Sequence, residues 1–180
     1  MRHLLAALAL CPLAALAAPS DSPWTPDRAF VQYGEQTDTR AVTLGLNWDW
    51  SWSRPLGSGL LSGYHDVAIG RWRAEVDEGH KNFTQLGYTP VLRWWSSGQP
   101  GGFFVEGGIG VNVVSPRFHT VNKRVGSNFT FGDHLGAGWR SSGGTEVSLR
   151  FQHFSNGGLA SPNPAVDFWQ VRLSIPLQTP

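Results

Sequence analysis

From Val42 to Trp52 every even-numbered residue is large and apolar (Val42, Leu44, Leu46, Trp48, Trp50, Trp52), while the odd positions are small or polar (Ala41, Thr43, Gly45, Asn47, Asp49, Ser51). Side chains on a β-strand alternate between two faces, so this run is a strand with one wholly apolar face. The pattern recurs later in the chain. Phe103, Val105, Ile109, Val111 and Val113 oppose Glu106, Gly108, Gly110 and Asn112. Val147, Leu149 and Phe151 oppose Glu146, Ser148, Arg150 and Gln152. Trp169, Val171, Leu173, Ile175 and Leu177 oppose Gln170, Arg172 and Ser174. From Asp27 onward the chain reads as eight strands, at 28–36, 40–53, 60–75, 82–95, 102–114, 127–140, 144–155 and 166–177, with no long helical pattern competing. Turn material separates them: Thr37 to Thr39, Arg54 to Gly59, Ser97 to Gly101 and Ser141 to Gly143. The third, fourth and sixth strands alternate poorly, and Pro90 and Asp133 sit awkwardly in them.

Two architectures give a clean alternation, and they turn the apolar face in opposite directions. A water-soluble lipocalin-like barrel would have to hold the Trp side chains in its interior. An outer-membrane barrel turns them to lipid and keeps a polar interior. Charged residues make up 15% of the chain, against about 25% in ordinary soluble domains, and there are nine Trp and 22 Gly. Glu106, Glu146, Arg150 and Arg172 on the polar face suit a narrow lumen laced by ion pairs, and the Trp runs suit interfacial girdles. The expected fold is therefore all-β: an eight-stranded antiparallel outer-membrane β-barrel.

The N-terminus fits export. Arg2, the apolar stretch Leu4 to Ala14 and the small-x-small step Ala15-Leu16-Ala17 read as a secretory signal, residues 1–17, cleaved after Ala17, with 18–180 forming a single barrel domain. The one cysteine, Cys11, lies inside this signal, so no disulfide or Cys-based metal site is expected. Without Arg2 the chain carries 13 basic and 13 acidic residues, a balance that implies no nucleic-acid partner. With both termini in the periplasm, the first strand runs outward, which places residues 153–167 at the cell surface.

There the apolar register breaks. Past Phe151 the outward face of the seventh strand continues into His153 and Ser155, and reading the eighth strand back from Val171 and Trp169 gives Asp167 on the same face. Positions two apart on a strand share a face with Cα atoms about 6.5 Å apart, so an imidazole and a hydroxyl can meet. A hydroxyl, an imidazole and a carboxylate are the nucleophile, base and orienting group of a triad. A strand end leaving lipid also becomes polar for solvation alone.

The stretch Phe151-Gln152-His153-Phe154-Ser155-Asn156-Gly157-Gly158-Leu159, followed by Pro162-Asn163-Pro164 and Asp167, resembles the lipid A 3-O-deacylase (PagL) family. The resemblance implies an outer-membrane esterase that removes the ester-linked 3-position acyl chain of lipid A, with lipopolysaccharide in the outer leaflet as its partner. It also implies Ser155 as nucleophile, His153 as base, and Asn156 and Asn163 shaping the oxyanion hole. The family usually has Glu as the third member where this chain has Asp167. Asp is one methylene shorter, so either strand pairing brings it closer or the orienting contact is weaker. No cofactor is implied, and a homodimer stays open.

His65, His80, His119 and His134 show no metal-ligand spacing. Gly107, Gly108 and Gly110 read as relief of crowding inside the barrel. Arg117, Lys123 and Arg124 fall in the surface loop between the fifth and sixth strands, where they either pair with lipid A phosphates or are simply solvated. Two other functions compete with deacylation. A non-enzymatic structural or adhesion barrel would leave lipid A unaltered, and a soluble periplasmic binder would be extractable without detergent.

Overall fold

The computed structural model describes residues 24–177, so the signal segment with Cys11 and the last three residues lie outside the described part. Every regular element among the described residues is a strand: β1 (Arg28–Gln36), β2 (Thr39–Asp49), β3 (Arg54–Leu56), β4 (Gly59–Val76), β5 (Gly79–Trp95), β6 (Gly102–Ser115), β7 (Phe129–Arg140), β8 (Glu146–Ser155) and β9 (Val166–Pro176). Each long strand pairs antiparallel with its neighbours in the order β2-β1-β9-β8-β7-β6-β5-β4. The β2–β4 pairing closes the sheet into an eight-stranded barrel and leaves no long edge unpaired.

The second expected strand is shorter than its alternation suggests. Its ladder with β4 runs to Asp49, the Trp50 N–H donates to the Gly63 carbonyl at 2.9 Å, and the chain re-pairs as β3 against Gly59–Leu61. Arg54–Leu56, which read as turn material, is thus a strand. Pro55 has no N–H to offer a ladder and is tolerated in this short terminal hairpin. Gly57, at φ 61°, supplies the backbone conformation its tight turn requires.

The outward face is apolar around the barrel, with Leu44, Ile69, Leu86, Ile109, Leu135, Leu149 and Val171 all exposed. Leu135 and Ile109, on adjacent strands, are 74% and 70% exposed, which suits hydrocarbon rather than water. Trp48, Trp94 and Trp139 lie toward the end of the barrel that carries the termini, where the Trp48 and Trp94 indoles donate to the Trp24 and Leu56 carbonyls. Trp72 and Trp95, by contrast, point into the lumen and are buried.

The lumen has two layers. Toward the termini it is an ion-pair network. Arg93 Nε and Nη2 donate to Glu106 Oε2 at 2.9 and 2.7 Å, and Arg93 Nη1 donates to Glu146 at 2.8 Å. Tyr64 donates to Glu106 at 2.9 Å and accepts from Arg150, which also ion-pairs with Glu106; Arg172 donates to Asp66 at 2.6 Å. Toward the other end the filling is aromatic: Trp72, Phe83, Phe154 and Phe168 meet Phe118 and Val125, which the 116–128 loop folds down into the barrel mouth. Sequence alternation foretold the first layer and missed the second.

Glu106 holds two buried guanidiniums, so Glu106→Ala leaves both short of counter-charge. Removing one partner of a buried pair typically costs about 3–5 kcal/mol. The variant is expected to unfold at clearly lower urea concentration in detergent, followed by the gel mobility of unheated samples. An unchanged midpoint would refute a stabilising role for the network.

Candidate active site

His153 and Ser155 face outward because their strand neighbours are claimed by the interior. Phe154 packs on Trp72 with centroids 4.9 Å apart and lies edge-on to Phe168, while Gln152 Nε2 donates to the Asp133 carbonyl at 3.1 Å. Asp167 faces outward for the same reason, since Val166 and Phe168 beside it are buried. The chemistry-bearing groups thus stand on two rigid strands whose alternate side chains are locked in the aromatic layer.

The β8–β9 register sets His153 directly opposite Asp167. The two side chains, 34% and 41% exposed, meet through His153 Nδ1 and Asp167 Oδ1 at 2.6 Å. Strand pairing therefore makes up for the missing methylene. An imidazole whose Nδ1–H donates to a carboxylate presents its other nitrogen, Nε2, as the free base. Among the described residues the Asp167 contact is the one side-chain hydrogen bond of His153, so Nε2 is uncommitted. Ser155 follows on the same face two residues along β8, half-buried. Its hydroxyl makes no hydrogen bond to the imidazole here, and catalytic hydrogen bonds commonly tighten only with substrate in place.

The loop after Ser155 is built around Asn156. This residue is fully buried: its N–H donates to Asn163 Oδ1 at 2.7 Å, its Nδ2 donates to the Ala160 carbonyl at 2.7 Å, and its Oδ1 accepts from the Gly158 N–H. Asn156 is the hub of the loop, with its amide turned inward. Asn163 is exposed, and accepting with its oxygen leaves its Nδ2 free to donate elsewhere. Gly157, at φ 62°, brings the backbone so near the Phe131 ring that a Cβ there would sit 2.9 Å from it. The neighbouring loop braces this one, with the Gly126 N–H donating to the Pro162 carbonyl and Lys123 Nζ to the Ala165 carbonyl, at 2.7 and 2.8 Å.

Two further residues adjoin the site unannounced by the sequence pattern. In the β7–β8 register Phe131 lies opposite Ser155 and Asp133 opposite His153, so the imidazole stands between two carboxylate-bearing strands. The poor alternation of β7 hid this. Asp133 also lines an apolar groove on the outer wall together with Leu92, Ile109, Leu135, Phe151, Pro90 and Gly107. Gly107 leaves its outward position empty, a role distinct from the crowding relief expected of it. Gly110 does relieve crowding, as a Cβ there would meet Thr89 Oγ1 at 2.2 Å.

Residues 41–176 match the family model described as Lipid A 3-O-deacylase (PagL). A lipid A deacylase PagL of Bordetella bronchiseptica is 33% identical over 143 residues, 78% of this chain and 78% of the relative. One from Pseudomonas aeruginosa is 35% identical over 136 residues, 74% of this chain and 76% of the relative. Among solved structures, a crystal structure of the outer membrane enzyme PagL superposes with a TM-score of 0.69 at 29% identity, covering 84% of this chain and 99% of the other.

Proposed function

The chain belongs to the lipid A 3-O-deacylase (PagL) family, and from that membership we propose that it removes the 3-position acyl chain of lipid A by a Ser155–His153–Asp167 triad facing the membrane. Lipid A deacylation in the outer membrane is the activity; the assignment of residues to steps is our own reading. The observation that carries it is the 2.6 Å contact of His153 with Asp167 on the lipid-facing register that also holds Ser155.

Ser155 Oγ attacks the acyl carbonyl carbon while His153 Nε2 takes the hydroxyl proton. Collapse of the tetrahedral intermediate passes that proton to the departing sugar hydroxyl and leaves the acyl chain on Ser155. Water, activated by the same imidazole, then releases the fatty acid. We assign the oxyanion contact to Asn163 Nδ2 and the Gly157 N–H, since the amide of Asn156 is spent inside its loop. Such a donor typically contributes about 3–4 kcal/mol to the transition state. The outward site meets a multi-chain glycolipid sideways in its own leaflet. The filled lumen offers no such approach, and the apolar groove beside Asp133 provides a seat for an acyl chain.

Lipid A from cells making the protein is expected to lose the mass of one 3-hydroxyacyl chain relative to cells without it. An unaltered spectrum with folded protein in the outer membrane would refute the activity and favour a structural barrel.

A further inference from the structure

The 116–128 loop is a small, well-held hairpin. Phe118 and Val125 anchor it in the lumen, the Val125 N–H donates to the Phe118 carbonyl at 3.0 Å, and His119 and Arg124 form a β-bridge. Its three basic residues have separate surroundings. Lys123 is tied to the Ala165 carbonyl. Arg117 and Arg124 instead line an open cleft together with His119, Lys81 of β5, Pro116 and Asn128. His119 is fixed edge-on against Phe83, with its Nδ1 3.2 Å from the Arg117 carbonyl. No carboxylate lines this cleft, and among the described residues none pairs with Lys81, Arg117 or Arg124.

Two loop guanidiniums and a β5 ammonium held without counter-charge around one cleft repel one another unless an anion joins them. Two guanidinium forks and an ammonium match the oxygens of a phosphate. The cleft is also well placed. Asn128 precedes β7, and Phe131, which lies opposite Ser155, follows three residues on. That spacing puts the Asn128 edge of the cleft about 10 Å beyond Ser155 along the strand on the headgroup side, with Arg117 after β6 and Lys81 on β5 about two to three strand spacings, roughly 10–14 Å, to its flank. A phosphorylated sugar whose ester reaches Ser155 would present its phosphate at this height.

Building on the deacylase reading, we propose that Lys81, Arg117, Arg124 and His119 form a headgroup site that binds a phosphate of the glycolipid substrate and sets its register over Ser155. As the loop's clamp to the Ala165 carbonyl, Lys123 takes no part.

The test compares purified protein in neutral detergent on lipid A and on the same lipid A stripped of phosphate. Wild type is expected to prefer the phosphorylated form, and Arg117→Gln/Arg124→Gln to reduce the ratio of the two kcat/KM values by about tenfold or more, given charge-assisted contacts of ordinary strength. Arg40→Gln, a charge change on β2 outside the cleft, is expected to keep the wild-type ratio. Hydrolysis of the stripped substrate reports that the double variant is folded. A ratio unchanged in the double variant overturns the proposal. So does a wild type that treats both substrates alike while inorganic phosphate alters its rate and not that of the double variant, because the cleft would then serve free phosphate. Affinities of both lipids measured in a Ser155→Ala background separate this proposal from the one it rests on. Loss of phosphate preference in Arg117→Gln/Arg124→Gln there supports the headgroup site even if hydrolysis is never seen.

Discussion

Replacing Ser155 by alanine is expected to leave the lipid A of producing cells fully acylated, with deacylation in detergent reduced by about 10⁴-fold or more. The loss is large because no neighbouring group can substitute. The only hydroxyl in register with His153 on this face of β8 is that of Ser155, and Phe131 stands opposite it across β7. Stability should scarcely change, because Ser155 is half-buried and makes no side-chain hydrogen bond among the described residues. Removing a surface hydroxyl of that kind usually alters folding by less than about 0.5 kcal/mol. The comparison is therefore between two equally folded barrels, checked by the mobility of unheated protein and by the lipid A mass spectrum. Residual deacylation within tenfold of wild type would remove Ser155 from the nucleophile's place and with it the covalent mechanism.

The parts of this molecule legible in its sequence are those where one rule acts alone. In β2, β6, β8 and β9 the outward face meets only lipid, so each side chain answers to a period of two and nothing else. The candidate groups His153, Ser155 and Asp167 stand out in the sequence for the same reason, because they break an otherwise apolar row. Residues answering to two demands were not. Trp72, Phe83, Phe154 and Phe168 are inward-facing aromatics whose partner, Phe118, comes from a loop with no periodicity. The strands of Trp72 and Phe83 looked irregular when they were filling a plug. Asp133 was invisible as a neighbour of His153 because its position depends on the β7–β8 register. The basic cleft joins Lys81 to Arg117 and Arg124 across a stretch of sequence that carries no pattern linking them.

These two kinds of residue have one structural consequence. A site made of strand residues inherits the rigidity of whatever fills the lumen behind it. The aromatic layer that sequence did not foretell holds Phe154 and Phe168 in place, and so holds the imidazole and carboxylate beside them at their 2.6 Å contact.

Asp167→Asn is expected to preserve the barrel and reduce kcat by about 10³–10⁴-fold, the loss that follows when a triad imidazole takes the wrong tautomer. An asparagine at this place offers His153 an NH₂ as readily as a carbonyl oxygen, and a donor facing Nδ1 draws the ring proton to Nε2. That nitrogen is the one needed to take the proton from Ser155. The negative charge that balances the imidazolium in the transition state is lost as well. Asp167→Glu restores the charge and is expected to recover most of the activity, because Glu is the usual family residue, at some cost from one extra methylene at a contact Asp already closes at 2.6 Å. Asp133 supplies the internal control. It faces the same imidazole from β7 yet makes no hydrogen bond to it among the described residues. Asp133→Asn should therefore change kcat by less than about tenfold, the scale of a screened neighbouring charge at a partly exposed site. The measurement is kcat for the three variants under saturating substrate in detergent. Should Asp133→Asn prove as damaging as Asp167→Asn, the imidazole would be oriented from both strands, and the single hydrogen bond to Asp167 would no longer account for its tautomer.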